Sequence, residues 1–174
     1  MAQQGGSSTL EVAAKRSRPQ LPKDYGMPPD AKGMLTWDWV EERLQKARNY
    51  WVCTAYPNGQ PHAVPVWAIW LNGTLYLDGH PQTRWARNIT GNPAVTVHLE
   101  SGDEVVILEG IVEDMPHVDR ELAEQLAAAS NEKYSFFTKV EEMVERGMFA
   151  FHPKVALAWG EFPKTMTKWR FDAK

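Results

Sequence analysis

The chain has 174 residues, of which 43% are hydrophobic and 24% charged, and its nineteen Lys+Arg against twenty-two Asp+Glu leave a net charge of −3. This is the balance of a soluble globular protein of one domain, or one domain with a tail, and it excludes disorder throughout. No stretch gathers the five or more like charges of a nucleic-acid arm, and no apolar run nears the roughly 20 residues of a membrane helix, so neither partner is expected. The N-terminus lacks the apolar core of a secretory signal and the single cysteine, Cys53, allows no internal disulfide, so the expected location is the cytoplasm. Eight Trp, five Tyr and six Phe are the unusual part of the composition. A large flat ligand, a subunit interface or a well-filled core would each use them.

In chain order, residues 1–20 are rich in Gly, Ser and charge and are expected to be mobile. Residues 21–35 carry prolines that forbid a helix interior and read as an extended arm, with Leu21, Tyr25, Met27 and Leu35 free to pack on a surface. Trp37, Val40, Leu44 and Ala47 then fall at helical spacing behind Thr36, a candidate N-cap. From Tyr50 the period changes to that of strands. YWVCTAY and HAVPVWAIW flank a turn at Asn58-Gly59, and Asn72-Gly73 leads into TLYLDG, which together make a meander. Pro65 supplies no amide, so the second strand must bulge, bend or lie at an edge. Residues 81–91 read as a short helix with Thr83 at its start. AVTVHLE and EVVILEGIVEDM are the fourth and fifth strands, followed by helices over 117–130 and 139–146. MFAFHP, VALAWGE and TMTKWRF close the chain as three strand-like runs. Short antiparallel strands with covering helices, and no G-x-G-x-x-G behind a strand, predict a mainly β (α+β) small barrel and exclude a Rossmann domain.

Two segments carry candidate chemistry. Thr83-Arg84-Trp85-Ala86-Arg87-Asn88 sits where a strand enters a helix, and free helix amides, a threonine hydroxyl and arginines are the parts of a phosphate cradle. The competing interpretation is that Thr83 merely caps the helix and the arginines are solvated. His62-Ala63-Val64-Pro65-Val66-Trp67 is a proline-broken strand whose backbone can face a cavity and read the edge of a planar heterocycle, with Trp67 or Trp70 beside the ring; an ordinary edge strand is the alternative. The five histidines show no i, i+3 or i, i+4 pair, so no metal site is expected. His98 points away from the face of Val95 and Val97. Trp159, Trp169 and Phe171 stack on a ligand, bury an interface or fill the core.

From about Leu35 to Phe171 the chain resembles the pyridoxamine 5′-phosphate oxidase-like split-barrel superfamily, most closely its flavin/deazaflavin oxidoreductase B branch. The resemblance lies in NYWVCTAYPNGQPHAVPVWAIW, TRWARNITGNPAVTVHLESGDEVVILEGIVEDM and LAWGEFPKTMTKWRF, in that order and spacing. It implies a six-stranded antiparallel split barrel over residues 21–174, assembled as a homodimer with cofactor at the subunit interface, the cofactor being FMN or coenzyme F420. Carried over by position, Thr83 and Arg84 bind phosphate, with Trp85 beside them and Arg87 and Asn88 supporting the turn. Val64, Pro65, Val66 and Trp67 back the ring, Leu77, Asp78, Gly79 and His80 line the polyol, and Trp159 and Trp169 approach from the partner subunit.

The chain departs from its relatives at Trp85, where many carry lysine. It also departs at Val105, where the vitamin B6 oxidase has glutamine, and beyond Trp159, where that enzyme's arginine-histidine substrate motif is missing. The expected function is therefore hydride transfer between a flavin or deazaflavin and a small unsaturated molecule on the ring, not oxidation of pyridoxamine phosphate. A non-catalytic flavin or haem carrier is the alternative. No acid or base is required of the chain; if a proton donor takes part, His80 is the first choice and solvent the second.

Overall fold

The computed structural model describes residues 14–135 and 138–171. Strand β1 is Ala14–Ser17, β2 Tyr50–Ala55, β3 Pro61–Val66, β4 Ala68–Leu71, β5 Thr74–Leu77, β6 Ala94–His98, β7 Val105–Met115, β8 Met148–Trp159 and β9 Thr167–Phe171. Helix α1 is Trp37–Lys46, α2 Arg84–Gly91, α3 Arg120–Lys133 and α4 Val140–Arg146.

Both predicted hairpin turns form. Gly59 takes φ +85° between β2 and β3. Asn72 and Gly73, at φ +50° and +80°, supply the left-handed pair that a two-residue turn needs between β4 and β5. Only Trp67 separates β3 from β4, so the two act as one bent strand. Its first half pairs with β2, ending at Tyr50 opposite Val66, and its second half pairs with β5, starting at Ala68 opposite Leu77. Strand β5 pairs with β8, β8 with β7, β7 with β6, and β6 with β2. The ring β2, β3–β4, β5, β8, β7, β6 is thus a six-staved antiparallel barrel. It is split along β8, whose residues 149–151 face β5 and whose residues 155–158 face β9.

Two sequence expectations change. MFAFHP and VALAWGE are one twelve-residue strand, because a bulge between Glu109 and Gly110 absorbs the extra residue Lys154 and seats Pro153 opposite Gly110. A Cβ on Gly110 would lie 2.2 Å from the His152 carbonyl oxygen, so only glycine fits. The mobile segment expected over 1–20 does not extend to Ala14–Ser17, which pair with β9 and cover an edge that would otherwise be open. Arg18 then ties the chain down, donating to the carbonyls of Asp30, Lys32, Lys164 and Met166 at 2.7–3.1 Å. Residues 1–13 lie outside the described residues.

Helix α1 turns Trp37, Val40 and Leu44 into the barrel, although the Thr36 hydroxyl makes no capping bond. Trp37 meets Trp70, Trp169 and Phe171 there, with Tyr50, Leu75, Leu77 and Phe151 around them. Helix α3 starts three residues later than its apolar period suggests, since Asp119 is the cap, accepting from the Leu122 N–H at 2.9 Å. With α4 it closes a second, smaller core of Ile69, Val118, Leu126, Tyr134, Met143 and Met148 against β4. Among the described residues no helix is long and apolar enough to cross a membrane.

Candidate functional site

The start of α2 is an uncapped cationic corner. Thr83 holds the N-cap position with extended backbone, yet its side chain makes no capping bond, and its hydroxyl oxygen is buried without any hydrogen-bond partner. The first bonded amide of the helix is Arg87, which donates to the Thr83 carbonyl at 3.1 Å, so the amides of Arg84, Trp85 and Ala86 have no helical acceptor. Arg84 lies over the Tyr56 ring at 4.9 Å, and the His62 ring meets Tyr56 edge-on at 5.8 Å. Both Arg84 and Arg87 are exposed, and neither forms an ion pair among the described residues. A buried hydroxyl left unpaired costs about 1–3 kcal/mol, a cost that an oxyanion accepting from it would remove. Free amides, an orphaned hydroxyl and two unneutralised guanidiniums fit a phosphate.

From this corner β3 runs as the end strand of the sheet path, paired with β2 alone. Pro65 is accommodated because it sits on that edge strand, opposite Trp51. The outward backbone groups of Pro61–Val66 therefore have no second strand to bond. Val64 and Val66 turn inward onto the core, leaving Pro65 exposed beside the backbone. At the far end Trp67 is 47% exposed and leans on Tyr134, ring centroids 5.8 Å apart. What this strand leaves open is its backbone edge and Trp67, rather than the valine side chains.

The remaining predicted positions divide. Trp85 is buried, edge-on to Phe149 at 5.0 Å and pressed against Gly79, where an added Cβ would sit 2.2 Å from the indole. An indole in that slot explains why no lysine stands there, and the Trp85 side chain belongs to the core while its amide stays at the helix start. Asn88 is also buried and donates to Thr54 Oγ1 at 3.0 Å, docking α2 onto β2. Leu77 belongs to the core, and Asp78 pairs with Arg146 at 3.8 Å. His80 is exposed and its Nδ1 accepts from the Gln82 amide at 3.2 Å, which puts the neutral ring's proton on Nε2. Trp159 is half-buried and meets Phe162 edge-on at 5.9 Å. Trp169 is 1% exposed, packed against Trp37 inside the barrel. Its neighbours Lys168 and Arg170 point outward instead, as the two-residue period of β9 requires.

Sequence reasoning missed Tyr56, which falls between a strand and a turn and carries no periodic signal. Cys53, on the outer face of β2, is not an activated nucleophile, because burial pushes its thiol up.

Residues 36–171 match the family described as Pyridoxamine 5′-phosphate oxidase. The chain belongs to that family. No curated protein matches it. Among solved structures it is similar to the conserved hypothetical protein Rv2991 from Mycobacterium tuberculosis, with 20% identity over 76% of this chain and 89% of that one at a TM-score of 0.62. It is also similar to an F420 reductase, with 21% identity over 67% and 94% of the two chains and a TM-score of 0.53. A heme binding protein from Mycobacterium smegmatis gives 16% identity, 76% and 57% coverage and a TM-score of 0.54. At these identities the likeness shows the split-barrel fold, a fold found in both a reductase and a haem binder.

Proposed function

We propose that this family member is a flavin- or deazaflavin-dependent oxidoreductase that binds FMN or coenzyme F420 and passes a hydride to or from a small unsaturated molecule. The observation that carries the reading is the unpaired backbone edge of β3, which leads from the uncapped, doubly cationic start of α2 to the exposed indole of Trp67. A phosphorylated planar heterocycle has that shape and polarity. The likeness to an F420 reductase supports it.

The bound cofactor supplies the hydride chemistry. The Arg84 guanidinium, the Thr83 hydroxyl and the first α2 amides would hold its phosphate. The free β3 edge would bond polar groups of its ring, and Trp67 would lie beside it. A proton taken from the chain would come from His80 Nε2; otherwise solvent supplies it. Substrate orientation and exclusion of water are the protein's remaining contributions.

The outer face of the sheet supports assembly of two copies. The cross-strand row Trp51, His98, Ile107, Leu157 is half-buried, with Trp51 stacked on His98 at 6.2 Å. Beside it a hollow of about 360 Å³ is lined by Cys53, Ala55, Thr96 and Glu109. We assign this face to a homodimer, with the cofactor at its margin; sedimentation of the purified chain as a monomer at micromolar concentration would refute that.

A carrier of flavin or haem is the second reading. Trp85 favours it, because the indole leaves the corner one cation short for a firmly held phosphate. Absorbance spectra with FMN, F420 and haem in turn separate the readings, since turnover of an enone or quinone by the reduced flavin or deazaflavin complex belongs to the first alone.

A further inference from the structure

The bend between β3 and β4 is clamped by two consecutive residues at the end of α3. Tyr134 Oη accepts from the Ala68 N–H at 2.9 Å and lies 2.9 Å from the Ala68 carbonyl and 3.0 Å from that of Arg48. A phenol has one proton, so it can serve only one of those carbonyls at a time. Lys133 supplies the missing donor. Its Nζ is 3.4 Å from the Ala68 carbonyl and donates to the Tyr50 hydroxyl at 2.6 Å, and that hydroxyl donates in turn to the Leu44 carbonyl. The ammonium also lies 4.8 Å from the Tyr50 ring centre and 5.7 Å from that of Tyr134.

We propose that Lys133 is a positioning residue of the ring site: through the Tyr50 hydroxyl and the Ala68 carbonyl it fixes the β3–β4 bend, and with it the angle at which Trp67 is presented to a planar ligand. The inference rests on the reading that the ring lies along β3. Ala68 follows Trp67 directly, so rotation of the Ala68 peptide swings the indole, and Tyr134 is both the ring that Trp67 leans on and the second jaw of the clamp.

The groups facing Lys133 are Tyr50 from β2, Tyr134 beside it, and the Ala68 carbonyl from β4. The Arg48 guanidinium, from the α1–β2 connection, lies on the Tyr134 ring at 5.7 Å. No carboxylate pairs with Lys133 among the described residues, and burial alone lowers its amine to about 8, while both tyrosines are raised above their ordinary value. The clamp therefore loses its charge within an accessible pH range and the phenols do not titrate with it.

The test uses the full chain labelled with 5-fluorotryptophan, with Trp67→Phe assigning the Trp67 resonance, and follows fluorine spectra from pH 6 to 10.5 without ligand. Wild type is expected to show a Trp67 shift with a midpoint near 8, absent from Lys133→Met, and Lys133→Arg is expected to keep the low-pH position throughout. Affinity for FMN and for F420 is then titrated in the same three proteins. The cofactor that binds should do so several-fold more weakly above pH 8 in wild type, weakly at every pH in Lys133→Met, and within twofold of the low-pH value in Lys133→Arg. A Trp67 resonance that is silent in wild type, or that titrates equally in Lys133→Met, overturns the clamp. A resonance that behaves as expected while no variant binds either cofactor overturns the ring site instead, which keeps the two failures apart.

Discussion

Asn88 Nδ2 donates to Thr54 Oγ1 at 3.0 Å, and both side chains are buried. One bond thereby joins α2, which carries Arg84, to β2, which leads into Tyr56, and the cationic corner keeps its shape only while the two elements stay in register. Asn88→Leu leaves the Thr54 hydroxyl without its partner and is expected to cost about 1–3 kcal/mol, measured by urea denaturation. Thr54→Val in the same background should recover part of that loss, because the unpaired group is then gone.

Gly79→Ala places a methyl where the Trp85 indole lies, at 2.2 Å. The ring is buried and packed edge-on against Phe149, so overpacking of about 1–3 kcal/mol is expected. Near-ultraviolet circular dichroism should change together with a lower Tm. The same addition at Gly91, which meets nothing within 4 Å, serves as the neutral control.

Arg18→Ala removes donors from four backbone carbonyls that join the N-terminal arm to the β8–β9 connection. Charged donors of this kind each contribute about 1.5–3 kcal/mol where they are shielded, less here because most of these bonds are exposed. Hydrogen exchange in residues 160–166 should accelerate at least tenfold, with little change in β7. Unaltered exchange there would mean that the arm is held by its other contacts.

Lys133 gives the fold a pH dependence with a definite sign. Burial lowers the amine from 10.5 to about 8, so between those values the unfolded chain binds a proton that the folded chain does not. Stability therefore rises with pH across that window. Below pH 8 the cost of burying the ammonium is fully present, and above 10.5 it is gone. Relative to Lys133→Met, wild type should gain on the order of 1 kcal/mol from pH 8 to 10.5, a figure reduced for the amine's partial exposure. Denaturant midpoints of the two proteins across that range check it.

How far the sequence discloses this architecture depends on whether a signal is local. Asn58-Gly59 and Asn72-Gly73 specify their hairpins through backbone conformations that few other residues adopt, and the helical spacing of Trp37, Val40 and Leu44 is likewise self-contained. The order of blocks also identified the split barrel. Thr83 and Arg84 stand out in the sequence because phosphate chemistry needs an anion-binding turn at a strand-to-helix junction, and the structure leaves the Thr83 hydroxyl there buried without a partner. The burial of Trp85 and Trp169 is not legible for one reason: a tryptophan's type says nothing about which side of a strand or helix is full. Trp85 is buried because Gly79 leaves it a slot, and Trp169 because Trp37 arrives from a helix some 130 residues earlier. Pro153 hid the continuity of β8, since the bulge at Lys154 that accommodates it is a matter of register against β7 and not of local composition. The clamp of Lys133 on Ala68 spans 65 residues and leaves no trace in composition or period.

The central claim is that the Arg84 corner and the free edge of β3 together hold a phosphorylated ring. Equilibrium titration of wild type and Arg84→Ala with FMN, coenzyme F420 and haem, read by absorbance, tests it most directly. The account predicts a perturbed flavin or deazaflavin spectrum in wild type and an affinity about 30-fold weaker in Arg84→Ala, the equivalent of about 2 kcal/mol for a truncated charge partner. Equal affinity in the two proteins, or binding of none of the three, would contradict it.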